Sequence, residues 1–220
     1  MDLPAMTQPI FESDIFVIDN FFNHQLIADV WHECQQFQSV DFVDQHGVFK
    51  DQLISKQTHI DIKNTGPFLN ILLEQVRSNF GREVKWDEIV YSQLFLPWDI
   101  HCDLIRPNTT NPLVNLLIPF NTVNSSTVIF NERSPGFNDF WKYKKDYQKQ
   151  QTPVPEDIWQ KHLSMCWPDD REWLSIKEIL PTQTVGQLIG FKRDLWHSSD
   201  NFHLKGVGVK HFLQILVNAV

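Results

Sequence analysis

The chain has 220 residues and a formal net charge of −8, a balance that argues against a general nucleic-acid binder, whose affinity needs a basic stripe to displace phosphate counterions. Hydrophobic residues make up 42% and charged residues 21%, a globular rather than a disordered composition, and the length suits a single domain over residues 1–220.

In chain order, the polar lead "MDLPAMTQPIFESD" lacks the basic-then-apolar pattern of an export signal. "DIFVIDNFF" then reads as a strand, and "NHQLIADVWHECQQF" as a helix behind a capping Asn. "KQTHIDIK" alternates as a strand, and "GPFLNILLEQVRSNF" has the period of an amphipathic helix. From residue 89 the texture changes to short β-rich runs, "EIVYSQLFLP", "LVNLLIPFN" and "STVIFNE", punctuated by Pro, Asn and Ser. The chain closes on three more, "GQLIGFKR", "DLWHSSDNF" and "GVKHFLQILVNAV". Between the two β groups, residues 131–182 form a Trp- and Lys-rich insert with helices expected in "FNDFWKYKKDYQKQ" and "VPEDIWQKHLSMC". No run of eighteen apolar residues occurs, so no membrane span is expected. Cys34, Cys102 and Cys166 are too few and too scattered for a disulfide framework, and a reducing cytoplasmic setting is expected. The pattern predicts a mostly β fold with flanking helices, a sandwich or barrel.

Two segments place a His and an Asp at i and i+2, "HCD" at 101–103 and "HID" at 59–61. On a strand such residues share a face about 6.5–7 Å apart and can converge on one ion. A third ligand from a distant strand would complete two imidazoles and one carboxylate on one face of an octahedron, the arrangement of non-haem Fe(II) oxygenases. A chain with nine His shows roughly one such pair by accident, so context must separate the two. Only His101 and Asp103 stand at the head of the β-rich region; His59 and Asp61 lie between two helices, where a solvated strand face explains them. His197, in "DLWHSSDNF", is the candidate third ligand. Lys210 opens the last strand on the same alternation as Phe212 and Gln214, and a buried ammonium there needs an anionic partner.

With "HCD", "LWHSSDNF", Lys210 and the opening "FVIDNFFNHQLI" in order, the chain resembles the 2-oxoglutarate- and Fe(II)-dependent oxygenases, especially their prolyl-hydroxylase-like branch. The resemblance implies a double-stranded β-helix, a jelly-roll or cupin-like core. It implies Fe(II) held by His101, Asp103 and His197, and 2-oxoglutarate anchored through its distal carboxylate by Lys210, with Tyr91 and Asn115 lining that pocket. It implies hydroxylation of a C–H bond in a small-molecule or peptidyl substrate, with O2 consumed and 2-oxoglutarate oxidised to succinate and CO2. Two features depart from the commoner family pattern. The anchor is Lys rather than Arg, which keeps the charge without the bidentate fork, and "NFHLKGVG" makes its distance from His197 longer than usual. The rival readings are a non-catalytic ligand-binding β-barrel of the same fold and a cupin-like iron dioxygenase without the oxoacid. Arg106, Arg133 and Arg193 are candidate substrate contacts, and Trp141, Trp159, Trp167 and Trp173 either close over the site or pack the insert. Cys102 reads as a small buried spacer.

Overall fold

The computed structural model describes residues 13–45, 47–80, 84–103, 113–136, 140 and 144–219. Its first strand, β1 (Ile15–Ile18), leads into α1 (His24–Cys34). Asn23 caps that helix, its side-chain oxygen accepting from the Gln25 amide at 2.7 Å. Ile27, Val30 and Cys34 recur at helical spacing on its buried side. After the short β2 (Val40–Val43) and β3 (Leu53–His59), α2 (Pro67–Phe80) buries Leu69, Leu72, Leu73, Val76 and Phe80, a stripe of the period expected for one packed face. Then come β4 (Val84–Leu94), β5 (Leu113–Pro119) and β6 (Thr127–Arg133), a short α3 (Glu156–His162), β7 (Ile176–Ile179), β8 (Leu188–Lys192), β9 (Leu195–Ser199) and β10 (Lys210–Ala219).

The strands form two antiparallel sheets, one of seven in the order β1-β8-β5-β10-β4-β3-β2 and one of three in the order β7-β6-β9. The architecture is the mostly β, double-stranded β-helix arrangement read from the sequence, with both long helices on the outer face of the large sheet. Period-2 alternation assigns the faces. Ile89, Tyr91, Leu116, Leu213 and Ile215 pack outward against α1 and α2, while Val90, Ser92, Asn115, Leu117, Phe212 and Gln214 point into the space facing the small sheet.

Two strands escaped the sequence reading. β2 is a short, largely exposed edge strand, with too few residues for alternation to register. β7 lies inside the span 131–182 and pairs with β6, so the end of that span is a strand of the small sheet. Of the two helices expected in the span, the second is present as α3; the first falls partly outside the described residues, and its described remainder holds a 3₁₀ turn at Lys144–Asp146. The span packs on the outer face of the small sheet, where Phe140, Val154, Trp159 and Leu163 meet Val128, Phe130 and Trp196. Trp159 is buried and Trp173 half-buried in that layer, and Trp167 is exposed; Trp141 lies outside the described residues. The described Trp residues of the span that pack do so on the barrel's outside rather than over its mouth. No helix among the described residues is long and apolar enough to cross a membrane.

Candidate metal and cofactor site

A cavity of ≈ 280 Å³ lies between the sheets, floored by the inward residues of β3, β4, β5 and β10. His101, Cys102 and Asp103 reach it on an extended segment that adds to the free edge of β9. The His101 amide donates to the His197 carbonyl at 3.0 Å, and the His197 amide donates back at 2.8 Å. That single bridge brings two residues nearly a hundred positions apart side by side, and alternation points His101, Asp103 and His197 the same way. One ligand atom from each lies within 4.8 Å of the others. His197 Nε2 is 3.4 Å from Asp103 Oδ2, and the two imidazole rings are 4.4 Å apart.

The surroundings orient these groups. His101 Nδ1 faces the Asp99 carbonyl at 2.6 Å and His197 Nδ1 the Leu195 carbonyl at 3.0 Å. A protonated Nδ1 donates in each case, which turns both Nε2 lone pairs toward the same point, as a metal-ligating imidazole requires. Burial, reinforced by His101 alongside, pushes the His197 imidazole down to about 4, so it is neutral and able to donate a lone pair at physiological pH. Asn115 Nδ2 donates to Asp103 Oδ2, and the buried Asn115 Oδ1 has no hydrogen-bond partner among the described residues. Behind Asp103, the fully buried Arg193 donates through Nε to its carbonyl at 3.0 Å and pairs with Asp87 at 2.9 Å.

Lys210 stands at one end of the cavity and is 2% exposed. Among the described residues its Nζ reaches only the hydroxyls of Ser199 at 3.3 Å and Ser125 at 3.4 Å, and it lies over the rings of Phe212 and Phe202. No carboxylate of the described residues lies within ion-pair distance. Burial pushes its ammonium down to about 8, although Asp200 nearby works the other way. Ser199 follows His197 by two residues on the same face of β9, about 6.5–7 Å along the strand. Lys210 therefore sits roughly one short diacid's length from the His-Asp-His group.

Of the residues read from the sequence, His101, Asp103, His197, Lys210 and Asn115 meet in this cavity. Tyr91 does not. It lies on the helix side of β4, its hydroxyl within 3.0 Å of both Trp31 Nε1 and His211 Nδ1. Both faces of β4 are buried, so apolarity alone did not reveal which parity looks inward. Cys102 is buried against Ile100 and Trp196, as a spacer should be. The rival "HID" is not a strand pair at all: β3 ends at His59, and Asp61 caps a 3₁₀ turn by accepting from the Lys63 amide at 3.0 Å. His59 nevertheless borders the far end of the cavity, 2.6 Å from Glu88. Arg133 is held at the surface by Asp14 and Asp194, and Arg106 lies outside the described residues. Sequence reasoning passed over Ser199, Thr127 and Gln57, whose parity relative to His197 and Val90 was the available signal.

No protein-family model and no curated protein matches the sequence. Solved structures do match in three dimensions. One is the epimerase SnoN in complex with Fe3+, alpha ketoglutarate and nogalamycin RO, at a TM-score of 0.61 and 10% identity over 93% of this chain and 78% of that one. The fold is a double-stranded β-helix. HygX from Streptomyces hygroscopicus with nickel and 2-oxoglutarate bound matches at 0.56 and 12% identity, covering 95% and 84%. The viral collagen prolyl hydroxylase from Paramecium Bursaria Chlorella virus-1, a 2OG complex, matches at 0.53 and 10% identity, covering 94% and 97%.

Proposed function

We propose that the protein is a 2-oxoglutarate-dependent Fe(II) oxygenase that hydroxylates a C–H bond of a small-molecule or peptidyl substrate. The observation that carries this reading is the pairing, in one cavity, of the His101–Asp103–His197 group with the carboxylate-free, buried Lys210. The donor set suits a divalent iron-type ion, since two imidazole nitrogens and one carboxylate leave positions open for other ligands. The fit is supported by the two backbone-anchored imidazoles and by the orphaned Asn115 Oδ1, which offers an acceptor beside the group. Lys210 favours an anionic co-ligand, which an iron dioxygenase without the oxoacid does not need.

Fe(II) with 2-oxoglutarate and O2 would supply the oxidising power. His101, Asp103 and His197 would hold the metal, and Lys210 with Ser199 would take the distal carboxylate. Asn115 fixes the Asp103 carboxylate, and Arg193 fixes its backbone. The apolar walls Val90, Leu117, Phe212 and Leu216 exclude water, while Gln57, His59, Glu88 and Gln214 give the other end of the cavity hydrogen-bonding groups for substrate. The barrel's interior therefore divides into a cationic cofactor end and a polar substrate end.

The reading is tested by adding Fe(II) and 2-oxoglutarate anaerobically and recording the visible spectrum. A weak charge-transfer band is expected in the wild type and not in His101→Ala. Absence of the band from iron-loaded wild type would remove the cofactor assignment. Product analysis under O2, once a substrate stimulates succinate formation, separates hydroxylation from epimerisation.

A further inference from the structure

The long turn between His197 and Lys210 carries a second lysine with a role of its own. Asp200 follows β9 and is completely buried. Its Oδ1 accepts from the Ser125 hydroxyl at 3.2 Å, and its Oδ2 is ion-paired with Lys205, with His162 Nδ1 at 3.8 Å from the same oxygen. Lys205 is delivered by a 3₁₀ turn, Phe202–Lys205, pinned by the buried Phe202 and closed by Gly206 at φ 79°, a left-handed position that suits glycine. The same Ser125 Oγ that donates to Asp200 stands 3.4 Å from Lys210 Nζ. One hydroxyl thus separates a buried carboxylate from a buried ammonium.

Without Lys205, Asp200 would keep only the Ser125 hydroxyl and His162 at 3.8 Å, an imidazole that burial holds toward its neutral form, and a buried carboxylate with no cation beside it would pair with the buried Lys210. A Lys210–Asp200 pair would close the cationic end of the cavity and occupy the group that a ligand carboxylate needs. We propose that Lys205 is a positioning residue that holds Asp200 away from Lys210 and so keeps Lys210 available to the distal carboxylate of a dicarboxylate ligand. The inference rests on the oxygenase reading. It also gives a physical reason for the extended spacing between His197 and Lys210: the extra residues build the turn that carries the counter-cation. Ser125 serves both sides, donating its proton to Asp200 and turning a lone pair to Lys210.

The test is equilibrium binding of 2-oxoglutarate to the full-length, metal-loaded, anaerobic protein by calorimetry, with thermal unfolding as the folding control. Lys205→Met is expected to weaken binding by about tenfold or more, because an internal carboxylate now competes for Lys210, with metal affinity unchanged. Lys205→Met combined with Asp200→Asn is expected to restore near-wild-type binding, a rescue that a merely structural role for Lys205 would not produce. In turnover, the single variant should raise KM for 2-oxoglutarate while kcat stays close to that of the wild type. Wild-type affinity in Lys205→Met, or no rescue in the double variant, would overturn the inference while Lys210→Met still loses binding. Undiminished binding in Lys210→Met would instead overturn the cofactor reading beneath it.

Discussion

Lys210 is where the electrostatics of a single residue make a measurable demand. Burial without a paired carboxylate brings its ammonium down to about 8, and a bound carboxylate would favour the charged form and raise it again. Below that value the free protein already carries the charge, so affinity for 2-oxoglutarate should be flat. Above it, binding must take up a proton, and affinity should fall by about tenfold per pH unit. Titrations between pH 7 and 9.5 should show that bend, and Lys210→Met should give a weak, flat profile over the same range. A comparable demand falls on Asn115, whose amide holds the Asp103 carboxylate. Asn115→Leu leaves His101, Asp103 and His197 in place but removes the support of the Asp103 carboxylate, and on the proposed reading should weaken divalent-metal binding about 10- to 100-fold; a competition titration with a metallochromic indicator measures it. At this scale the meeting of these residues in one cavity was largely legible. His101, Asp103, His197 and Lys210 carry chemistry that few other residues could replace, and the order of their segments along the chain separated "HCD" from "HID". Tyr91 was misjudged because Ile89 and Tyr91 are as apolar a series as Val90 and Leu94, and only packing against Trp31 and Phe120 decides which series faces the helices.

At the scale of the elements, the long pieces were readable because their patterns are long. α2 repeats its apolar residues over four turns, and β10 runs ten residues through the middle of the large sheet between β4 and β5. Four-residue strands such as β2 and β7 give alternation no room, and they exist only because a neighbour supplies the other half of their hydrogen bonds. Where a sheet must accept an outer strand tightly, one residue decides it. Gly190 of β8 lies directly opposite Phe16 of β1, and a Cβ at that position would fall within the Phe16 ring. The aromatic ring lies across the bare backbone and covers it, a packing that needs glycine. Gly190→Ala should therefore push β1 off the sheet edge and destabilise the fold by about 1–3 kcal/mol, read as a lower urea midpoint. Gly190→Ala with Phe16→Leu should recover part of the loss, because the smaller side chain makes room. The His197 bridge on the other sheet should be unaffected, so metal binding by the folded variant is expected to match the wild type.

For the whole molecule, the site lies where the two sheets face each other across the cavity. His101 and Asp103 approach from the loop after β4, His197 from the small sheet, and Lys210 from the centre of the large one. A metal and a dicarboxylate bound there would bridge both sheets in the folded state, and neither contact survives unfolding. Ligands that bind only the folded state stabilise it by mass action, about 2.7 kcal/mol at a hundred times the dissociation constant. For a chain of this size each kcal/mol raises Tm by about 2–4 °C, so a saturating increment of about 5–10 °C is expected for each of the two ligands. The two increments should be ordered. Divalent metal alone should raise Tm in the wild type and in Lys210→Met, because the His-Asp-His group is intact in both. 2-Oxoglutarate should add its increment only with metal present and only where Lys210 is retained, since on the proposed reading the metal would hold one of its ends and Lys210 the other. Differential scanning calorimetry of the two proteins in the four ligand states measures all of this. An increment from 2-oxoglutarate in the absence of metal, equal to that in its presence, would mean that the dicarboxylate binds elsewhere than between these two groups.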